Sequence, residues 1–143
     1  MIALDTSVVV ASFGAWHEHH DAARATLGER PHLAAHTALE AYSVLTRLPE
    51  PFRASPATVV EFLRRTFTTP RLTLPEEAQA GVPGRLSEQG VSGGAVYDGL
   101  IALTARAAGA QLLTLDRRAL TTYARVGATA HLLVQSAGDD APA

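Results

Sequence analysis

Four carboxylates stand in stretches of sequence that are otherwise apolar. Asp5 ends Ile2-Ala3-Leu4, and Asp116 ends Leu112-Leu113-Thr114-Leu115. Glu40 interrupts the run from Ala34 to Leu45, and Asp98 lies inside Ala95-Val96-Tyr97-Asp98-Gly99-Leu100-Ile101. A carboxylate in apolar surroundings is costly unless it neutralises, pairs or binds a cation. No nearby basic residue interrupts the runs around Asp5, Glu40 and Asp98 to pair with them. Four such acids on one small chain point to a shared cation, hence to metal-assisted chemistry. Oxygen-only ligands suit a hard ion, Mg2+ or Mn2+.

The elements that must carry these acids follow from pattern. A strand is expected at about residues 2–5, and the Asp-Thr-Ser cluster supplies capping side chains for a helix starting near Thr6. Helices are expected at about 18–27, 37–48, 56–67, 95–108 and 117–126. The third of these starts at Ser55-Pro56, an N-cap followed by proline at the first helical position. Residues 32–35, 71–74, 111–115 and 129–134 read as further strands, and 75–90 as a weak helical stretch broken by Gly81, Pro83 and Gly84. Strands alternating with helices predict an α/β domain over 1–135, with a parallel sheet and helices on both faces. The tail 136–143 reads as disordered. In such a sheet ligands collect beyond the carboxyl ends of the strands, where Asp5 and Asp116 fall.

Composition removes several alternatives. The chain has 143 residues, 47% of them apolar, enough for one domain with a real core. It has no cysteine, so disulfides, thiolate zinc sites and cysteine nucleophiles are excluded. All 12 basic residues are arginine; without lysine there is no P-loop and no Schiff base. No run approaches a membrane span, and no leader pattern opens the chain, so a cytoplasmic location is expected. Net charge is −2. Setting aside the embedded acids and tail residues Asp139 and Asp140, arginines outnumber the acids, which favours a phosphate-bearing partner.

Leu4-Asp5-Thr6-Ser7, the mid-helix Glu40 and the segment from Gly93-Gly94-Ala95-Val96-Tyr97-Asp98 to Leu115-Asp116-Arg117 together resemble the PIN-domain nucleases. More narrowly they resemble the VapC-type toxins of bacterial toxin–antitoxin pairs. The resemblance covers about residues 1–134. It implies a central five-stranded parallel sheet and an acidic pocket binding Mg2+ or Mn2+. It also implies endoribonuclease activity restrained by a small VapB-type antitoxin. Asp5, Glu40, Asp98 and Asp116 match the family's metal-site and catalytic acids, and Thr6 and Thr114 match supporting hydroxyls. An aromatic often follows the last acid in the family; here that stretch is Arg117-Arg118-Ala119-Leu120. The expected reaction is phosphodiester hydrolysis, with Asp98 or Glu40 orienting the water or accepting its proton.

Arg117 and Arg118, directly after an embedded acid, are the candidate RNA contacts. His17, His19 and His20, beside Trp16, read as a solvated surface rather than a metal site. His36, one turn before Glu40, is a candidate for orienting it. Apolar residues around Trp16, Phe62 and Phe67 suggest a homodimer face or an antitoxin groove. Two rivals are a phosphatase with an aspartyl nucleophile and a PIN-like RNA- or protein-binding module without catalysis. The first wants a second Asp where Ser7 stands, and a lysine. The second is disfavoured by the presence of all four acids.

Overall fold

Strand β1 (Ile2–Leu4) pairs in parallel with β2 (Gln111–Thr114), which pairs in parallel with β3 (Ala130–Leu132). The structure is a computed structural model that describes residues 1–134. The tail expected from 136 onward lies outside the described residues. Helices α1 (Thr6–Phe13), α2 (His20–Ala25), α3 (Ala35–Thr46), α4 (Pro56–Thr66), α5 (Glu76–Ala80) and α6 (Val82–Glu88) lie between β1 and α7 (Ala95–Ala107). Helix α8 (Ala119–Arg125) joins β2 to β3. Among the described residues, no helix is long and apolar enough to cross a membrane.

The sheet is smaller than the five strands expected. Three strands form a continuous ladder in the order β1-β2-β3, and residues 32–34 and 72 contribute only isolated parallel bridges, Ala3 with His32 and Ala34 with Leu72. The bridging bonds themselves are sound: His32 N–H donates to Ile2 O at 2.9 Å, and Leu72 N–H donates to Leu33 O at 2.9 Å. Composition explains the brevity. Pro31, Pro70 and Pro75 lack the N–H that a ladder needs, and Ala34-Ala35 has weak strand preference and passes directly into α3. The two segments therefore sit where strands four and five belong without propagating as strands.

Both faces of the sheet are covered, as a parallel sheet requires. Ala3 and Leu112 point into one apolar cluster with α6, α7 and α8, built around Ile101, Ala102 and Tyr123. Leu4 and Leu113 point the other way, into a cluster formed with α1 to α4, around Val8, Val9, Leu45 and Val59. Helix α7 reaches the sheet through a tight turn at Gly109, whose φ of 68° is a backbone conformation that suits glycine. Helix α4 begins as its sequence indicates, with the Ser55 side chain accepting from Thr58 N–H and Pro56 in the first turn.

Leu112 on the central strand is 0% exposed. Leu112→Ala should therefore cost about 2–5 kcal/mol, measured as a fall in the urea midpoint. Leu72→Ala, on a half-buried single bridge, should cost clearly less.

Candidate active site

Parallel pairing brings the carboxyl ends of β1 and β2 to one edge. The register Leu4 with Leu113 places Asp5 beside Thr114, and Asp5 N–H extends the ladder by donating to Leu113 O at 3.0 Å. Asp5 caps α1 and is only 3% exposed. Its Oδ1 accepts from Ser7 Oγ and from Val8 N–H at 3.3 Å, and its Oδ2 accepts from the Tyr123 hydroxyl at 2.8 Å. Ser7 Oγ in turn accepts from Leu115 N–H at 2.8 Å and lies 3.4 Å from Thr114 Oγ1. Thr114 Oγ1 accepts from Asp116 N–H at 2.9 Å. One chain of hydroxyls thus ties the two strand ends and the first acid together.

The other acids arrive on helices. Glu40 sits mid-way along α3, with His36 Nε2 3.6 Å from its Oε2. Asp98 lies in the first turn of α7, where the helix dipole favours a negative charge. Asp116 follows β2, and its Oδ1 accepts from Arg118 N–H at 3.0 Å. All four acids line a single cavity of about 270 Å3, together with Thr6, Ser7 and His17. A larger cavity of about 600 Å3 between α6 and α7 is apolar, walled by Val82, Leu86, Val91 and Leu100, and contains none of these acids.

Crowding of like charges shows in the protonation equilibria. Burial raises the Asp5 carboxyl above its ordinary range, despite bonds from Ser7, Thr114, Tyr123 and Val8 that pull it down. The Asp98 carboxyl is pushed up to about 6, first by burial and then by the charges of Glu40, Asp5 and Asp116. Burial and the nearby Asp5 raise the Tyr123 phenol, so it remains a protonated donor to Asp5. A cation among these groups would relieve the repulsion. The donors are all oxygen, which suits a hard divalent ion. The buried Thr6 hydroxyl, on the wall of the same cavity, has no hydrogen-bond partner and adds an available oxygen. Among the described residues, no three His, Asp or Glu side chains stand close enough to hold a metal ion as they are.

Of the other expected residues, Thr114 engages the site through Ser7 and Asp116. Thr6 lines the cavity without bonding to an acid. Arg117 and Arg118 are exposed, and Arg118 Nε lies 3.7 Å from Asp116 Oδ1. The histidine group divides. His17 faces the cavity, its Nδ1 accepting from His19 N–H, and burial followed by the His19 charge lowers its pKa, so it is neutral at pH 7. His20 Nδ1 is instead 2.8 Å from Ala11 O. Ser7 and Tyr123 are the residues that sequence reasoning missed. Ser7 lay within the quoted Asp-Thr-Ser motif. Tyr123 gave no signal beyond a phenol among Leu120 and Val126 at core spacing.

The Asp98 shift carries a stability prediction. A carboxyl raised from 3.8 to about 6 on folding contributes stability that is complete below pH 4 and is lost as pH rises through 6. Without divalent ions, Asp98→Asn should melt several degrees above the parent at pH 7.5 and close to it at pH 4. Equal melting temperatures at both pH values would show that Asp98 carries no such penalty.

Comparison with known proteins agrees with this geometry. The PIN domain family matches residues 2–126. Ribonuclease VapC40 of Mycobacterium tuberculosis is 50% identical over 126 residues, covering 88% of this chain and 94% of that protein. Ribonuclease VapC27 of the same organism is 39% identical over 127 residues, covering 88% and 92%. The crystal structure of FitAcB from Neisseria gonorrhoeae superposes with a TM-score of 0.63 at 20% identity, over 91% of this chain and 96% of that one, which shows a shared fold. The chain belongs to the PIN-domain family and, within it, to the VapC type.

Proposed function

We propose that this protein is a metal-dependent endoribonuclease of the toxin type, restrained by a small VapB-type antitoxin. The observation that carries the reading is the meeting of Asp5, Glu40, Asp98 and Asp116, from four separate segments, in one cavity at the carboxyl edge of the sheet. The relatives named as ribonucleases favour RNA as the substrate. A homodimer and a cytoplasmic location belong to the same proposal and rest on the family resemblance.

In this reading Asp5, Glu40, Asp98 and Asp116 would hold Mg2+ or Mn2+. When bound, the ion supplies charge neutralisation at the phosphoryl group and a water of lowered pKa. Asp5 is the fixed member, since Ser7, Val8 and Tyr123 hold both of its oxygens. Asp98, half-buried on the wall shared with the other acids, is suited to accept the proton as the water oxygen bonds to phosphorus and the ester P–O bond breaks, the leaving oxygen taking its proton from solvent. Glu40, partly exposed beside His36 on the same cavity wall, is suited to orient that water. Arg117 and Arg118, outside the cavity, attract the neighbouring phosphates.

Asp98→Asn and Asp5→Asn should each lower RNA cleavage by roughly a hundredfold or more, with far-UV circular dichroism unchanged. EDTA should abolish the parent's activity. Mg2+ or Mn2+ should raise the parent's melting temperature more than that of Asp98→Asn, a readout independent of turnover. Purified Asp98→Asn cutting RNA at the parent rate would sink the assignment. Replacing Arg117 and Arg118 by Gln should flatten the salt dependence of RNA binding by about one to two charges, read from the slope of log K against log salt.

A further inference from the structure

Beside the acids lies a second recess with a different chemistry. It has a volume of about 530 Å3 and shares Glu40 with the acidic cavity. Its other walls are His36, Leu39, Ser43, Arg47 and Tyr97. Tyr97 and His36 are stacked, with ring centroids 5.4 Å apart and planes within 6°. Tyr97 is nevertheless 55% exposed, and Leu39 is 63% exposed. Single exposed apolar residues are ordinary. Here two of them share a recess with a parallel ring pair next to the four acids. Tyr97 directly precedes Asp98, and His36 stands one helical turn from Glu40, so the same two helices aim both the rings and the acids.

We infer that the Tyr97–His36 pair and Arg47 form a subsite for an unpaired nucleobase and the phosphate that follows it. The inference rests on the ribonuclease reading above. Successive bases stack on exposed aromatic rings without regard to sequence, because every base has a π-face. His36, Glu40 and Ser43 form one stripe of α3, and Arg47 follows at its C-terminal end, about 10 Å along the axis from Glu40. Among the described residues the Arg47 guanidinium has no acidic partner, and it is exposed. A strand whose scissile phosphate sits at the acids would rest a neighbouring base on the rings and bring its next phosphate to Arg47. The mixed lining of hydroxyl, imidazole and guanidinium fits base edges and phosphate better than an apolar peptide face. The latter would find its match in the Val82–Leu100 cavity instead.

The test uses full-length protein and short single-stranded RNA oligonucleotides of defined sequence, with an abasic residue placed at each position in turn. Tyr97→Ala should weaken binding and raise KM by roughly tenfold, while Tyr97→Phe, which keeps the ring, should stay near the parent. One abasic position beside the cleavage point should weaken binding to the parent, and that penalty should vanish in Tyr97→Ala. Arg47→Gln should reduce the salt slope by about one charge. An abasic penalty equal in parent and Tyr97→Ala at every position overturns the subsite while leaving the nuclease reading intact. So does a Tyr97→Ala protein that binds RNA normally but loses a protein partner. A parent that neither binds nor cuts any RNA overturns both.

Discussion

Asp5 keeps a carboxylate in a place almost closed to water, and much of the chain is arranged around making that tolerable. Desolvating a charge of this kind costs several kcal/mol unless other groups replace the lost water. The replacement here comes from two elements at once. The start of α1 supplies Val8 N–H and the Ser7 hydroxyl, and α8, far away in sequence, supplies the Tyr123 phenol. Those donors meet only because β1 and β2 pair in parallel with Leu4 opposite Leu113. A one-residue slip would invert the faces of β1, moving Leu4 and Ala3 into the wrong clusters and Asp5 away from Thr114. The register that packs the core is therefore the register that builds the site.

Hydrogen bonds hold Asp5 in place but do not cancel its charge. Burial still raises its pKa, and its field is felt at Asp98 and Tyr123. The acids are graded in exposure: Asp5 is 3% exposed, while the side chains of Glu40 and Asp116 are 29% and 41% exposed. The buried member is fixed by three donors, and the outer ones retain freedom to move. A hard cation that keeps some of its waters asks for such an arrangement, with one rigid anchor and several adjustable oxygens.

The acids were legible in the sequence because each breaks an apolar pattern, and a broken pattern is visible without knowing the fold. The helices carrying Glu40 and Asp98 were legible from spacing, within two or three residues at their ends. The sheet was only partly legible. Residues 32–35 and 71–74 have the alternation of strands, yet the prolines around them and the early start of α3 leave only two isolated bridges, His32 with Ala3 and Ala34 with Leu72. The supports of Asp5 were harder still. Tyr123 sits at core spacing on α8 and is 0% exposed, so its sequence context says only that it is buried. What its hydroxyl touches depends on the β2–α8 crossover, and that is a tertiary fact. In the stretch after Asp116, where the family often has an aromatic, Ala119 is buried, and Tyr123 follows one helical turn later.

Helices α3 and α7 carry both kinds of chemistry, and this follows from their geometry. Helix α7 packs on β2 and α3 packs against α1, α4 and α7, which leaves each an outer face to solvent and a narrow strip along the boundary. Glu40 and Asp98 lie on the boundary strips, half-buried, where a carboxylate is close enough to the others to feel them and open enough to stay partly hydrated. One residue away, Tyr97 projects outward, and one turn away, His36 lies against it. An acid cluster alone repels a polyanion. In the proposed reading attraction comes from outside it, from the exposed Tyr97 ring and from Arg47 at one end of the recess. The chain places His36 and Tyr97 on the same two helices as Glu40 and Asp98, with Arg47 at the end of α3. The α3–α7 contact therefore fixes the rings relative to Glu40 and Asp98, while the strand register fixes Asp5 and Asp116.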